Sequence, residues 1–226
     1  MKIYAVIVAG GSGVRMGSDV PKQFLLLKGK PLIQHTIQSF LLAYDDLQII
    51  LVLPVQQLTL GQQIIKQMNA EERVQAITGG ASRYRSVQNG LQFVTEPSIV
   101  FVHDGVRVLV SRKLITSCYQ QAIEKGSAIP AVAATDSIRI EEGASHYIAD
   151  RKKIRIIQTP QTFQSHILLE AFKQEYSEAF TDEATVVEAA GNKVFLIEGE
   201  YNNLKVTRPV DLYIAEKLLE EGVDRQ

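Results

Sequence analysis

The sequence predicts an α/β protein in three layers, a mostly parallel sheet covered by helices on both faces. Three observations carry that expectation. Short apolar runs, Ile3 to Ala9, Gln48 to Leu53 and Ile99 to Val102, have the content of strands buried on both sides. Between them lie stretches whose apolar residues recur at helical spacing, so strand and helix alternate along the chain. The first run also empties into a glycine-rich turn, Gly10-Gly11-Ser12-Gly13-Val14-Arg15-Met16-Gly17. Such a turn sets backbone N–H groups at the carboxyl edge of a sheet, where α/β proteins bind phosphates.

Taken in order, Ile3 to Ala9 is the first strand. Pro31 to Leu42 is a helix, with Leu32, Ile33, Thr36, Ile37 and Phe40 on one face and His35 packed or solvated. Gln48 to Leu53 is a strand, Gln56 to Met68 a helix and Val74 to Thr78 a short strand opening into Gly79-Gly80. A helix continues over Val87 to Phe93, and Ile99 to Val102 is a strand closed by His103-Asp104. Leu114 to Glu124 is a helix ended by Gly126, with a strand over Ser127 to Ala134. The stretch Asp136 to Gln158 breaks the pattern. Ser137 to Glu141 alternates, Glu142-Gly143-Ala144 turns and His146 to Arg151 returns. A hairpin carrying Arg139, Arg151, Lys152, Lys153 and Arg155 does not suit a buried sheet, so it is expected to project as an arm toward a partner chain. Ile167 to Tyr176, Thr181 to Ala190 and Pro209 to Leu219 read as helices, and Val194 to Ile197 and Asn203 to Val206 as strands.

With 226 residues, 46% hydrophobic and 22% charged, the chain is expected to form one domain able to bury a large core. A net charge of −1 gives no basic bias toward nucleic acid, so an anionic ligand must be met by local clusters. The lone Cys118, in an apolar helical stretch, reads as a core residue in a reducing, cytoplasmic setting. The first apolar run is too short for a signal peptide, and no segment reaches the length of a membrane span.

The glycine loop matches neither common nucleotide fingerprint. Met16 stands where a dinucleotide motif needs its third glycine, and the strand ending at Pro54 offers no acid for a ribose. No Gly-Lys-Ser/Thr of a P-loop occurs either. Arg15 and Lys22, the latter in Pro21-Lys22-Gln23-Phe24, place two positive charges beside the turn. Three further clusters fall at the expected ligand edge. Gly79-Gly80 with Arg83 and Ser86 permits close approach of a base or phosphate, or is an ordinary strand-to-helix turn. Asp104, with Arg107 near it, suits Mg²⁺ held by a carboxylate and phosphate oxygens, or else caps the following turn; His103 reads as structural. Lys205 and Arg208, ahead of the proline-started helix, face an anion or are solvated charges on a loop.

Together these segments resemble the 2-C-methyl-D-erythritol 4-phosphate cytidylyltransferases over nearly the whole length. The resemblance rests on Ala9 to Met16, Pro21 to Phe24, Gly79-Gly80 with Arg83 and Ser86, and His103-Asp104 with Arg107. It continues through Thr159-Pro160-Gln161-Thr162-Phe163, Thr181-Asp182-Glu183-Ala184 and Lys205 to Pro209. It implies a Rossmann-like three-layer nucleotidyltransferase fold that transfers CMP from CTP to a sugar-alcohol phosphate with Mg²⁺. It further implies that Gly11, Gly13, Arg15 and Lys22 surround the triphosphate, with Ala9, Gly10 and Gly105 completing the CTP site. Gly80 and Ser86 would recognise cytosine, Asp104 bind the metal and Lys205 contact the reacting α-phosphate. Arg107 and Thr159 would stand beside the sugar phosphate. In the family the arm swaps across a homodimer, and Ser137 and Arg151 occupy its substrate positions. One departure stands out: family members usually read His-Asp-Ala-Ala-Arg-Pro where this chain reads His103-Asp104-Gly105-Val106-Arg107-Val108, and Gly105 and Val108 are expected to loosen that loop.

No Ser–His or Cys–His pairing suggests a protein nucleophile, which agrees with direct attack of one phosphate on another. Two rival readings stand beside this one. Ribitol 5-phosphate cytidylyltransferases share the loop and the lysine segment, but Asp150-Arg151 ahead of Thr159-Pro160-Gln161 resembles the methylerythritol branch. A non-catalytic nucleotide-binding regulator would not need Arg15, Lys22, Asp104 and Lys205 together.

Overall fold

The computed structural model describes residues 1–10 and 20–222. Among these, eight strands form one sheet. Its parallel centre consists of β1 (Lys2–Val8), β4 (Leu47–Leu53), β5 (Val74–Thr78) and β6 (Ser98–Asp104), in the order β6-β1-β4-β5. The chain builds from β1 outward to β5, then returns through α3 (Arg83–Leu91) to lay β6 on the other side of β1. That reversal is where α/β sheets open a crevice at their carboxyl edge. The register sets Val8 beside Asp104 on one side and beside Val52 on the other.

Alternation along each central strand builds two cores. Ile3, Ala5 and Ile7 of β1 face one layer with Leu51 and Phe101; there they meet α1 (Leu32–Ala43), α2 (Leu58–Gln67) and α4 (Arg112–Lys125). Tyr4, Val6 and Val8 face the other, with Val52, Val102 and the helices α3, α5 (Ser165–Ala171) and α6 (Glu183–Ala189). Each such fully buried aliphatic or aromatic side chain contributes roughly 1.5–3 kcal/mol. Cys118 is buried in the first layer, and burial pushes its thiol up to about 12, so it is an inert core residue as expected. The helix over Arg112–Lys125 starts on the Ser111 cap, whose Oγ accepts from Leu114 N–H at 2.9 Å, and ends at Gly126 with φ 89°.

Beyond β6 the sheet departs from the expected pattern. The segment Gln161–Gln164, read only as a motif, is a buried strand, β11, antiparallel to both β6 and β7 (Ser127–Ala133). β7 also takes β10 (Arg155–Ile157) antiparallel and β12 (Leu196–Glu198) parallel. Arg155 therefore opens a strand of the main sheet rather than belonging to the arm. The arm itself is the separate hairpin β8 (Ile138–Glu142) and β9 (Ser145–Ala149), turned at Gly143 with φ 61°. Asn203 to Val206 forms no strand, its backbone N–H groups making local turns and one longer-range bond, Val206 N–H to Val106 O at 3.0 Å. A small third cluster joins α7 (Pro209–Glu220) to the hairpin β2 (Leu26–Leu27) and β3 (Lys30–Pro31) through Leu27, Val108, Val206 and Ala215. No described helix is long and apolar enough to cross a membrane.

Candidate active site

A cleft of about 270 Å³ opens at the carboxyl ends of β1, β5 and β6, and its walls include Gly10, Lys22, Gly80, Ser86, Asp104 and Lys205. Segments far apart in sequence thus converge where the topology reverses. A larger hollow of about 720 Å³ lies between α1, β3 and the end of α7, but no residue from those strand ends lines it. The smaller cleft is the candidate site because the glycine turns, Lys22, Asp104 and Lys205 meet there at the strand ends.

Its floor is Asp104, the last residue of β6, whose side chain is 10% exposed. Lys205 Nζ lies 2.9 Å from Oδ2, Arg107 Nε 3.6 Å from the same oxygen, and Arg83 Nη2 3.4 Å from Oδ1. Burial would raise the carboxyl's pKa, but the charges of Arg83, Lys205 and Arg107 outweigh it and hold the group well below the usual carboxylate range. Asp104 is an ionised carboxylate ringed by cations, not a turn cap.

The loop behind it is firmly held. His103 is fully buried, and burial pushes its pKa down to about 4, so the ring is neutral. Arg107 O, 3.1 Å from Nε2, can only accept, which places the proton on Nε2. Nδ1 then accepts from the Thr159 hydroxyl at 3.0 Å, and that oxygen accepts from Asp104 N–H at 3.1 Å. Asn203 Nδ2 donates to Thr159 O at 2.8 Å, and Arg107 Nη1 to Asn203 O at 2.7 Å. His103 is structural, as expected. Thr159, expected beside the sugar phosphate, instead has its hydroxyl buried behind Asp104, because its hydrogen bonds are spent on that loop.

Gly105 also departs from its expected contact with CTP. Its N–H donates to Val8 O at 2.9 Å and its carbonyl accepts from Thr36 Oγ1 at 3.0 Å, so both backbone groups are engaged in the fold. Nor is the loop loosened there. A Cβ on Gly105 would lie 2.7 Å from Ile33 Cδ1 and 3.0 Å from Ala9 Cβ, while Val106 and Val108 are buried. The glycine allows the loop to press against the end of β1.

On the facing wall, the helix expected to start at Val87 starts at Arg83, because Ser82 caps it by accepting from Arg85 N–H at 3.1 Å. Ser86 therefore lies on the first helical turn. Its Oγ accepts from Gly80 N–H at 3.1 Å and donates to Ser82 O at 2.9 Å, so the two residues expected to read a base are joined to each other. A Cβ on Gly79 would approach that oxygen to 2.8 Å, which explains the glycine. Ala9 and Gly10 carry the chain out of β1; Ala9 O accepts from Gln23 Nε2 at 2.8 Å, which seats the Lys22–Phe24 turn against the cleft. Lys22 lines the cleft from that turn. Gly11, Gly13 and Arg15 lie outside the described residues.

Ser137 and Arg151 are both exposed at the open base of the hairpin, where Ile138 pairs with Ala149, away from the cleft walls, with Arg151 Nη1 donating to Thr135 O at 2.7 Å. The hairpin also exposes Ile140, Tyr147 and Ile148, the last 71% accessible. Among the described residues no group of three or more His, Cys, Asp or Glu is placed to hold a metal alone. The donor set fits a hard cation that takes one carboxylate, Asp104, and completes its shell with phosphate oxygens and water.

In the sequence, Arg83 and Glu183 stand out only as parts of motifs. Glu183, 1% exposed at the start of α6, forms a two-bond ion pair with Arg83, which reaches on to Asp104. No local signal marks it, since an acidic residue opening a helix ordinarily sits in solvent.

The family model described as 2-C-methyl-D-erythritol 4-phosphate cytidylyltransferase matches residues 3–221. A curated relative of that name from Phocaeicola vulgatus is 42% identical over 219 residues, covering 97% of this chain and 100% of its own. One from Porphyromonas gingivalis is 44% identical, covering 96% and 98%. Among solved structures, the 2-C-methyl-D-erythritol 4-phosphate cytidylyltransferase from Thermus thermophilus superposes with a TM-score of 0.74 at 30% identity, covering 97% of this chain and 100% of that one.

Proposed function

The chain belongs to the 2-C-methyl-D-erythritol 4-phosphate cytidylyltransferase family, and on that premise we propose that it transfers CMP from CTP to 2-C-methyl-D-erythritol 4-phosphate. The products are pyrophosphate and 4-diphosphocytidyl-2-C-methyl-D-erythritol. The single observation that carries the reading to this chain's residues is the Asp104–Lys205 pair, 2.9 Å apart in a cleft that Lys22 also lines.

A phosphate monoester oxygen of the sugar attacks the α-phosphorus of CTP, forming one P–O bond as the bond to pyrophosphate breaks. Two anions must meet, so positioning and charge neutralisation supply the catalysis. Lys205 turns from Asp104 to the α-phosphate, while Lys22 and Arg15 stabilise charge on the triphosphate. Asp104 holds Mg²⁺, which neutralises phosphate oxygens when bound. Gly10, Gly11 and Gly13 offer backbone N–H groups to the phosphates. Gly80 and Ser86 face the cytosine, and Arg107 supports the sugar-phosphate side. Thr159 and Gly105 act from behind by fixing the Asp104 loop.

The whole chain works as one nucleotidyltransferase unit in the cytoplasm, as a homodimer whose arms carry Ser137 and Arg151 to the partner's substrate site. The exposed Ile140 and Tyr147, paired across the hairpin, and Ile148 on its other face support that reading, since exposed apolar side chains favour burial against a second surface. The test is pyrophosphate release from CTP and Mg²⁺ with methylerythritol 4-phosphate or ribitol 5-phosphate as acceptor. Turnover with the first alone is expected. Turnover only with the second would overturn the acceptor and the role of Arg151, and release with neither would leave a nucleotide-binding regulator.

A further inference from the structure

Arg83 and Glu183 have no part in the chemistry just described, yet they make an ion pair whose carboxylate is only 1% exposed. Three elements meet in it. Arg83 is the first residue of α3, Glu183 the first of α6, and Asp104 the last of β6. The Arg83 guanidinium grips both oxygens of Glu183, with Nη2 3.0 Å from Oε2 and Nη1 closely paired with Oε1. Its Nε and Nη2 are each 3.4 Å from Oδ1 of Asp104. Lys205 and Arg107 approach the other oxygen, Oδ2. The two oxygens of Asp104 thus face different partners.

A buried ion pair gains little stability over apolar side chains of the same size, because desolvating two charges offsets their attraction. Glu183 lies among apolar α6 residues such as Ala184 and Val187, where a hydrophobic side chain would pack without that penalty. Retaining a carboxylate there is explained by what it does to Arg83. A guanidinium forked onto a buried glutamate has its direction fixed and its charge offset, so a passing phosphate does not draw it away. It stays on Oδ1 and keeps the carboxylate from rotating.

We propose that Glu183 and Arg83 are positioning residues that hold the plane of the Asp104 carboxylate, leaving Oδ2 as the oxygen that exchanges Lys205 for a divalent cation when nucleotide binds. The proposal rests on the metal-binding role given to Asp104 above. It assigns to this pair the part that outer-shell partners play around metal-binding carboxylates, where loss of such a partner lowers affinity or activity roughly 10–100-fold.

The experiment compares wild type with Glu183→Gln, Arg83→Lys and the double variant, by steady-state kinetics and by electron paramagnetic resonance of Mn²⁺ (standing in for Mg²⁺) added to enzyme with CTP. Glu183→Gln is expected to lower kcat and Mn²⁺ affinity together, each roughly 10–100-fold, with KM for the sugar phosphate within about twofold. Arg83→Lys, which keeps the charge and loses the fork, is expected to do the same. The double variant is expected to be no worse than the poorer single one, because both act through the same oxygen. Folded variants with unchanged kcat and Mn²⁺ affinity, or two losses that multiply, would overturn the pair's positioning role. Should Glu183→Gln fail to fold, Arg83→Lys carries the same test. If wild type binds Mn²⁺ with CTP but transfers CMP to neither acceptor, the proposed function fails while the Mn²⁺ comparison still decides the pair.

Discussion

Replacing Asp104 by asparagine isolates the electrostatics of the site from its chemistry. The amide keeps the size of the side chain and removes the one negative charge that Arg83, Arg107 and Lys205 share. At separations of 2.9–3.6 Å each attraction is about 5 kcal/mol with an effective dielectric near 20, but desolvation of the carboxylate offsets much of it. The three cations do not lose equally. Lys205, 43% exposed, turns to water, and Arg83 keeps Glu183. Arg107 is 11% exposed, and its Nε has no hydrogen-bond partner. It is left as a buried charge without its carboxylate. Breaking a buried pair costs about 3–5 kcal/mol, and with one strongly affected partner the low end, about 3 kcal/mol, is expected.

The assay is thermal unfolding of wild type and Asp104→Asn at pH 7, in chelator and without nucleotide, so that neither metal nor CTP contributes. Thermal midpoints should fall by roughly 6–12 °C for a chain of this size. The pH dependence follows from the folded carboxyl lying far below its unfolded value of 3.8. Its stabilisation is whole above about pH 4 and is lost as pH falls below that, when the unfolded chain takes up a proton that the folded one refuses. The gap between the two proteins should therefore narrow from about pH 4 downward. Equal stability at pH 7, or a gap unchanged at about pH 3, would refute the reasoning.

Lys22→Ala and Lys205→Ala should each lower kcat by roughly 10²-fold or more, the scale of losing a preorganised charge contact; near wild-type turnover in both would remove the lysines from the mechanism. Asp211 accepts from Thr207 N–H and Arg208 N–H at 2.8 Å each, fastening the segment that carries Lys205 to α7. Asp211→Ala should cost about 1 kcal/mol in chemical denaturation and lower kcat, and retention of full kcat would free Lys205 from that support. Arg151→Ala should raise KM for the sugar phosphate roughly tenfold with little change for CTP; an unchanged KM would make the arm purely structural.

The parallel half of the sheet was legible because β1, β4 and β6 are buried on both faces and so write continuous apolar runs. β11 was not, since Phe163 is its one apolar residue, between Thr162 and two glutamines, Gln161 and Gln164. Their amides are used in the fold: Gln161 bonds Asp182 and Ala184, and Gln164 the carbonyls ending α4. The helix expected over Ile167 to Tyr176 stops at Ala171 for a tertiary reason. Tyr84 stacks on Phe172 at 4.8 Å, and its hydroxyl lies 3.2 and 2.7 Å from the carbonyls of Phe172 and Gln174, tying down a turn where the periodicity ran on. Leu204 and Val206 alternate like a strand, yet Val206 instead joins the small cluster under α7.

The same division runs through the site. Residues that face the cleft, such as Asp104, Lys22 and Lys205, were legible because strand ends and glycine turns advertise a ligand edge. Those that act from behind were not, because what they do depends on partners far along the chain. Thr159 lies 56 residues from His103 and Glu183 100 from Arg83, and neither spacing leaves a local trace. The physical demand links both groups. A carboxylate ringed by three cations must be fixed from behind, or Arg83, Arg107 and Lys205 would settle on it in whatever geometry their own stems prefer. The neutral His103 and the Thr159 hydroxyl fix the backbone of that loop without adding charge, while Glu183 supplies the second carboxylate that keeps Arg83 in place. Lys205, which is the most exposed of the three cations, is then the one free to leave Asp104 for a phosphate.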